Sequence, residues 1–292
     1  MKIRELFDEK SENHVDRTVY SFEVFPPKRT TPIESIYDTL ESICSNKPDF
    51  ISVTYGAGGT GADNMTVQVA SRIKNVYGIE SAAHLTCVRN NKEDVDATVD
   101  VLKQNNIENI LALRGDKVPD QEPKTDFLYA SDLTAYLTRT TNFDIAGACY
   151  PETHPEARSA VQDVLNLKKK VDAGATHLIS QLFFDNDTFY RFRDSALLAG
   201  INVPIEAGIM PVTNIKSIER MVTMCGASLP SKFSRMMNKY ADKPESLREA
   251  GIAYAIEQII DLISSGVDGI HLYTMNNPYI AKKISDSVVP LL

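Results

Sequence analysis

The feature that most constrains the fold is a rhythm. Eight short runs of apolar and β-branched residues recur along the chain: VYSFEVF (19–25), FISVTYG (50–56), AAHLTCV (82–88), NILALRG (109–115), FDIAGACY (143–150), THLISQLFF (176–184), VPIEAGIM (203–210) and GIHLYTM (269–275). Segments of helical character separate most of them, among them IESIYDTLESIC (33–44), KEDVDATVDVLKQNN (92–106) and PEARSAVQDVLNLKKKVDAGA (155–175). Alternation of this kind calls for parallel strands joined by right-handed crossovers. Eight such units predict an α/β fold, a closed (β/α)8 TIM barrel in a single domain with a short N-terminal helical extension, and 292 residues suffice for it. The long interval 211–268 has room for two or three helices. The helix of 155–175 is predicted to open on Thr153-His154-Pro155-Glu156, a capping box with proline at the first helical position.

Charge and composition narrow the function. A net charge of −8, with the basic residues scattered and Lys168-Lys169-Lys170 their only run of three, argues against nucleic acid as a partner. No apolar stretch reaches membrane-spanning length, and MKIRELFDEKSENH carries charges where a secretory signal has its apolar region, so a cytoplasmic protein is expected. The four cysteines form no C-x-x-C and read as buried free thiols. His84 and Cys87 would point to opposite faces of a strand, and neither H-x-H nor H-E-x-x-H occurs, so no metal is expected. A Schiff-base enzyme would need a strand lysine, which none of the eight runs contains.

Gly56-Ala57-Gly58-Gly59-Thr60-Gly61 fits G-x-G-x-x-G, yet it does not read as a dinucleotide fingerprint. Such a turn normally follows the first strand, with an acid some 20 positions on at the end of the next. Here the glycines follow the second strand, and Glu80 precedes the third at its wrong end. Glycines after a barrel strand still allow a ligand to approach the backbone closely.

In a barrel the chemistry lies where strands end. The polar residues there are Glu23, Thr54, His84, Asp116, Tyr150 and Gln181. Thr54 or His84 taken singly reads equally well as a hydrogen-bonded interior residue. Glu23 stands between Phe22 and Phe25, where an apolar setting would raise its pKa and suit it to act as a general acid.

SFEVFPPK, SVTYGAGG, AHLTC, LALRGD, YASDL, YPETHPEA, ISQLFFD, GIMPVTN and YTMN, in this order from about Tyr20 to Asn276, resemble the 5,10-methylenetetrahydrofolate reductases, most closely the short bacterial form. The resemblance implies a (β/α)8 barrel carrying FAD, reduced by NADH or NADPH. Methylenetetrahydrofolate then takes the nicotinamide's place and receives a hydride, in a ping-pong sequence that yields 5-methyltetrahydrofolate for methionine synthesis. It also implies a homo-oligomer.

Site residues follow by the same resemblance. Glu23 becomes the acid that protonates the departing folate nitrogen, and Asp116 the acid beside the flavin pyrimidine and the pterin. FAD contacts fall on Thr54, Tyr55, Ala57, His84, Arg114, Gly115, Asp116, Tyr129, Ala130, Tyr150, His154, Ala157, Asp163, Asn166, Lys169 and Lys170; substrate contacts fall on Glu23, Thr54, Asp116, Gln181, Tyr273 and Asn277. Asp163, Asn166 and Lys170 would share one helix face. The lysines alone would read as a solvated helix end.

Two positions depart from the pattern. Asn277 stands where the family carries a substrate-touching arginine, and Glu206-Ala207 replace an apolar residue and proline, Glu206 reading most simply as a polar partner inside the barrel. The rival readings are a flavin-free folate methyltransferase barrel and a silent flavin- or folate-binding protein.

Overall fold

The computed structural model of the protein describes residues 1–12, 17–28, 30–55, 65–116, 124–215, 218, 222 and 225–292. Eight strands run β1 (Val19–Val24), β2 (Phe50–Val53), β3 (Glu80–Thr86), β4 (Asn109–Leu113), β5 (Asp144–Cys149), β6 (His177–Ser180), β7 (Ile205–Ile209) and β8 (Gly269–Tyr273). Each pairs in parallel with the next in chain order, and β8 closes on β1 with Val19 opposite Gly269 and Glu23 opposite Tyr273. This is the (β/α)8 barrel that the alternating runs predict, and every strand lies within or beside its run.

The helices are α1 (Arg4–Glu12), α2 (Tyr37–Cys44), α3 (Met65–Tyr77), α4 (Lys92–Gln104), α5 (Ala130–Thr140), α6 (Ala160–Asp172), α7 (Asn186–Leu198), α8 (Ser231–Lys239), α9 (Pro244–Ser264) and α10 (Pro278–Val288). The interval before β8 thus holds α8 and α9 among the described residues.

Period-two alternation sorts the strand residues. Tyr20, Phe22, Ile51, Val53, Leu85, Ile110, Ile145, Leu178, Ile270 and Leu272 face outward and pack with the helices in the main core. Each large side chain buried in this way contributes about 1.5–3 kcal/mol. Val19, Phe50, Ala82, Leu111, Ala146 and Ile179 face inward and meet Ile3 and Phe7, so α1 plugs the N-terminal end of the barrel. Ile3 N donates to Asn109 Oδ1 (2.9 Å) and Arg4 N to Asp144 Oδ2 (2.8 Å), which fixes that plug. Glu80 opens β3 at the same closed end, where Lys74 Nζ meets it at 2.6 Å.

The start of α6 differs from expectation. The helix begins at Ala160, with Ser159 as N-cap accepting from Gln162 N at 3.2 Å. The predicted capping box is instead a loop, because its polar groups are engaged elsewhere. Glu156 pairs with Arg114, and the His154 N–H donates to Asp163 Oδ2. All four cysteines are free; Cys44, Cys87 and Cys149 are buried and Cys225 is half-buried.

Candidate active site

Parallel strands open their C-terminal ends on one mouth, and there the predicted polar residues converge. Ser21 and Glu23 face the interior from β1, Glu23 near the top with 22% of its side chain exposed. Its Oε2 lies 3.6 Å from His84 Nε2 and 3.9 Å from His271 Nε2. The flanking phenylalanines do not surround it. Alternation turns Phe22 outward, edge-on to Tyr20, and Phe25 is 40% exposed beyond the strand. Two imidazoles therefore stand where the sequence suggested an apolar setting.

Burial pushes His84 down to about 4, and the nearby Glu23 carboxylate offsets only part of this, so the ring is neutral at pH 7. Its Nε2 has no hydrogen-bond partner. Tyr273, whose ring lies edge-on to His271 at 5.4 Å, donates its hydroxyl to Ser180 O at 2.7 Å. Burial raises its pKa well above 10, with the Glu23 charge adding to the effect.

The first and last motifs hold each other. Thr274 Oγ1 donates to Glu23 O at 2.6 Å, while the Asn276 amide accepts from Phe25 N (3.0 Å) and donates to Phe25 O (2.7 Å). Glu23 thus owes its place to residues some 250 positions away.

Around the rim, Arg114 makes a two-pronged ion pair with Glu156, at 2.6 and 3.0 Å. Gly115 has φ +83°, and a Cβ there would lie 2.9 Å from Thr86 Cβ, so only glycine fits between Arg114 and the exposed Asp116. Tyr150 hydrogen-bonds Gln181 and lies edge-on to His154 at 4.5 Å; burial raises its pKa, and Asp116 is near enough to add to the rise. His154 Nδ1 accepts from Glu156 N at 3.0 Å, and burial lowers its pKa, with Arg114 lowering it further. Gln181 Oε1 accepts from Leu182 N at 2.9 Å.

The remaining predicted residues are spread more widely. Thr54 N donates to Val24 O (3.0 Å), and the Tyr55 hydroxyl accepts from Asn90 Nδ2 (3.4 Å). Ala57 lies outside the described residues. Tyr129, 63% exposed, and buried Ala130 begin α5, and Ala157 N donates to His154 O. On α6, Asn166 and Lys169 are exposed and 3.5 Å apart. Lys170 instead turns its ammonium onto Ala148 O, and burial lowers its pKa. It is not a solvated helix end. Asn277 caps α10, its Oδ1 accepting from Tyr279 N (3.1 Å) and Ile280 N (3.3 Å).

Ser21, Ser52, His271 and Glu156 also belong to the site, although no sequence motif marks them. Their signal was available for the barrel-facing ones: Ser21 shares a strand face with Glu23, and His271 with Tyr273.

A family model for methylenetetrahydrofolate reductase matches residues 8–288. The chain belongs to the methylenetetrahydrofolate reductase family. It is 40% identical to the 5,10-methylenetetrahydrofolate reductase of Escherichia coli over 263 residues, covering 88% of this chain and 86% of that one. It is 36% identical to the Arabidopsis thaliana protein named methylenetetrahydrofolate reductase (NADH) 1, covering 91% of this chain and 48% of that one. As a member of this family the protein is an oxidoreductase whose substrate is a folate. Among solved structures, a Clostridium thermocellum protein described as binding two copies of 5-methyl-5,6,7,8-tetrahydrofolic acid superposes with a TM-score of 0.60 at 15% identity, over 96% of this chain and 99% of that one; the likeness is one of fold. No helix among the described residues is long and apolar enough to cross a membrane.

Proposed function

We propose that this methylenetetrahydrofolate reductase works through FAD and a reduced nicotinamide nucleotide, and that Glu23 supplies the proton the folate half of the reaction consumes. The observation that carries the reading is Glu23 itself, a partly exposed carboxyl at the C-terminal mouth, its backbone held by Thr274 just after β8 and its side chain flanked by His84 and His271.

The rim fits a flavin nucleotide. Tyr129 and Leu128 are exposed aromatic and aliphatic surface, Lys169 is an exposed cation on α6, and Gly115 keeps the backbone bare beside Arg114. His84 Nε2, buried and without a partner, is available at the base. Residues assigned to the cofactor are Thr54, Tyr55, Ala57, His84, Arg114, Gly115, Asp116, Tyr129, Ala130, Tyr150, His154, Ala157, Asp163, Asn166, Lys169 and Lys170. Bound there, the flavin would accept a hydride from the nicotinamide and return it to the folate one-carbon unit. The plant relatives are named for NADH, which favours that nucleotide.

The chain's own residues do the rest. Glu23 protonates the folate nitrogen as the five-membered ring opens to a cation. Asp116, exposed at the rim, favours positive charge developing nearby. Gln181, held by Leu182 N and Tyr150, keeps an amide in the mouth to orient either planar substrate. Thr54, Tyr273 and Asn277 complete the folate contacts. The product, 5-methyltetrahydrofolate, supplies methyl groups for methionine synthesis.

Anaerobic stopped-flow measurement of the two half-reactions tests the assignment. Glu23→Gln should leave flavin reduction by NADH near the parent rate and slow folate reduction by roughly 10²–10⁴-fold. Equal folate rates in parent and variant would remove Glu23 from the role.

A further inference from the structure

Below the mouth, the barrel interior holds a second ionisable group that the reaction as described leaves idle. Glu206 on β7 is fully buried, and Gly269 makes room for it: a Cβ at 269 would lie 2.7 Å from Glu206 Cγ. Glu206 Oε2 is 2.6 Å from Ser21 Oγ, Ser21 Oγ is 2.6 Å from His271 Nδ1, and His271 Nε2 is 3.9 Å from Glu23 Oε2. Ser52 Oγ steadies the same Nε2 at 3.3 Å. On its other side Glu206 Oε1 has no hydrogen-bond partner and faces His177 Nε2, also unpartnered, at 4.0 Å. His177 Nδ1 meets Thr176 Oγ1 (3.2 Å), which donates to Asp144 Oδ1 (2.8 Å) beside the N-terminal plug.

We propose that Glu206 is the inner station of a hydrogen-bond relay, acting through Ser21 to set which His271 tautomer faces Glu23. The inference rests on Glu23 being the acid of the folate half-reaction. The serine hydroxyl has one hydrogen, so the chain can point only one way at a time. When Glu206 is protonated it donates to Ser21, Ser21 donates to His271 Nδ1, and the ring turns an Nε2–H toward Glu23. When Glu206 is ionised, Ser21 donates to it, His271 Nδ1–H donates to Ser21, and a lone pair faces Glu23.

At neutral pH Glu206 rests protonated. Burial raises Glu206 to about 8, the Ser21 hydrogen bond lowering it somewhat and the charges of Asp49 and Asp268 raising it further. The groups facing it directly are Ser21 and His177; burial pushes His177 down to about 4 and keeps it neutral, with Asp144 and His271 as its own charged or titratable neighbours. His271 is faced by Glu23, His84, Ser21 and Ser52.

The test is nitrogen-detected NMR of the flavin-free protein labelled at its five histidines, with His271 assigned by substitution. The His271 tautomer should change from Nε2–H to Nδ1–H as pH rises through about 8, and both Glu206→Gln and Ser21→Ala should abolish that change. A tautomer independent of pH in the parent, or a change that survives in either variant, overturns the relay. In the flavin-loaded enzyme, Glu206→Gln should lose the alkaline limb of the pH profile of folate reduction and spare flavin reduction by NADH. An unaltered profile in that variant also overturns the relay. Failure of Glu23 as the acid reads out separately, in Glu23→Gln.

Discussion

At the scale of single residues, the barrel interior carries opposing pH dependences. Glu206 binds its proton more tightly folded (about 8) than its ordinary value of 4.5, so its stabilising contribution is complete at low pH and is lost as pH rises through about 8. His84 and His177 are pushed from 6.5 to about 4, so theirs is present above 6.5 and is lost as pH falls toward 4. Between 4.5 and 6.5 the two histidines outweigh the one carboxyl; between 6.5 and 8 Glu206 acts alone. Unfolding by urea should therefore show stability falling from pH 6.5 to 8, at up to about 1.4 kcal/mol per pH unit. Glu206→Gln should flatten that fall, and an unchanged slope in the variant would mean that Glu206 is ionised in the folded protein. The oddity of Glu206 was legible in the sequence as a carboxylate in an apolar run. Its partner was not, because Ser21 lies 185 positions away and only barrel closure brings the two together. The same holds for Glu23, whose phenylalanine neighbours in sequence are not its neighbours in space.

At the scale of elements, the strands were readable because period-two alternation in short β-branched runs has few other meanings. Helix starts were less so. Thr153 to Glu156 carries every local mark of a capping box, yet Glu156 is drawn to Arg114, and the helix opens on Ser159 instead. Local propensity also misleads at Gly251, inside the 21-residue α9. Alanine should favour a helix by about 1 kcal/mol over glycine, but a Cβ at 251 would lie 1.7 Å from Val212 O. Gly251→Ala should cost about 1–3 kcal/mol in urea denaturation, and a stabilised variant would contradict the close approach of α9 to the segment after β7. Asn277 serves α10 as its cap, so Asn277→Ala should cost about 1 kcal/mol. If the same substitution leaves the KM for methylenetetrahydrofolate unchanged, Asn277 is a helix cap and not a folate contact.

At the scale of the whole molecule, closing eight parallel strands gathers motifs from Glu23 to Asn276 at one mouth and seals the other with α1. The fold was legible from rhythm alone, whereas the chemistry needed the motifs, since a barrel by itself supports many reactions. In the proposed reaction this mouth holds a flavin that a nicotinamide nucleotide reduces and a folate reoxidises. The most direct test is the visible absorption spectrum of the protein reconstituted with FAD, desalted and titrated anaerobically with NADH. The flavin should be retained, bleach with NADH and regain its colour on addition of methylenetetrahydrofolate. A protein that retains no flavin, or a bleached flavin that methylenetetrahydrofolate does not restore, would contradict it.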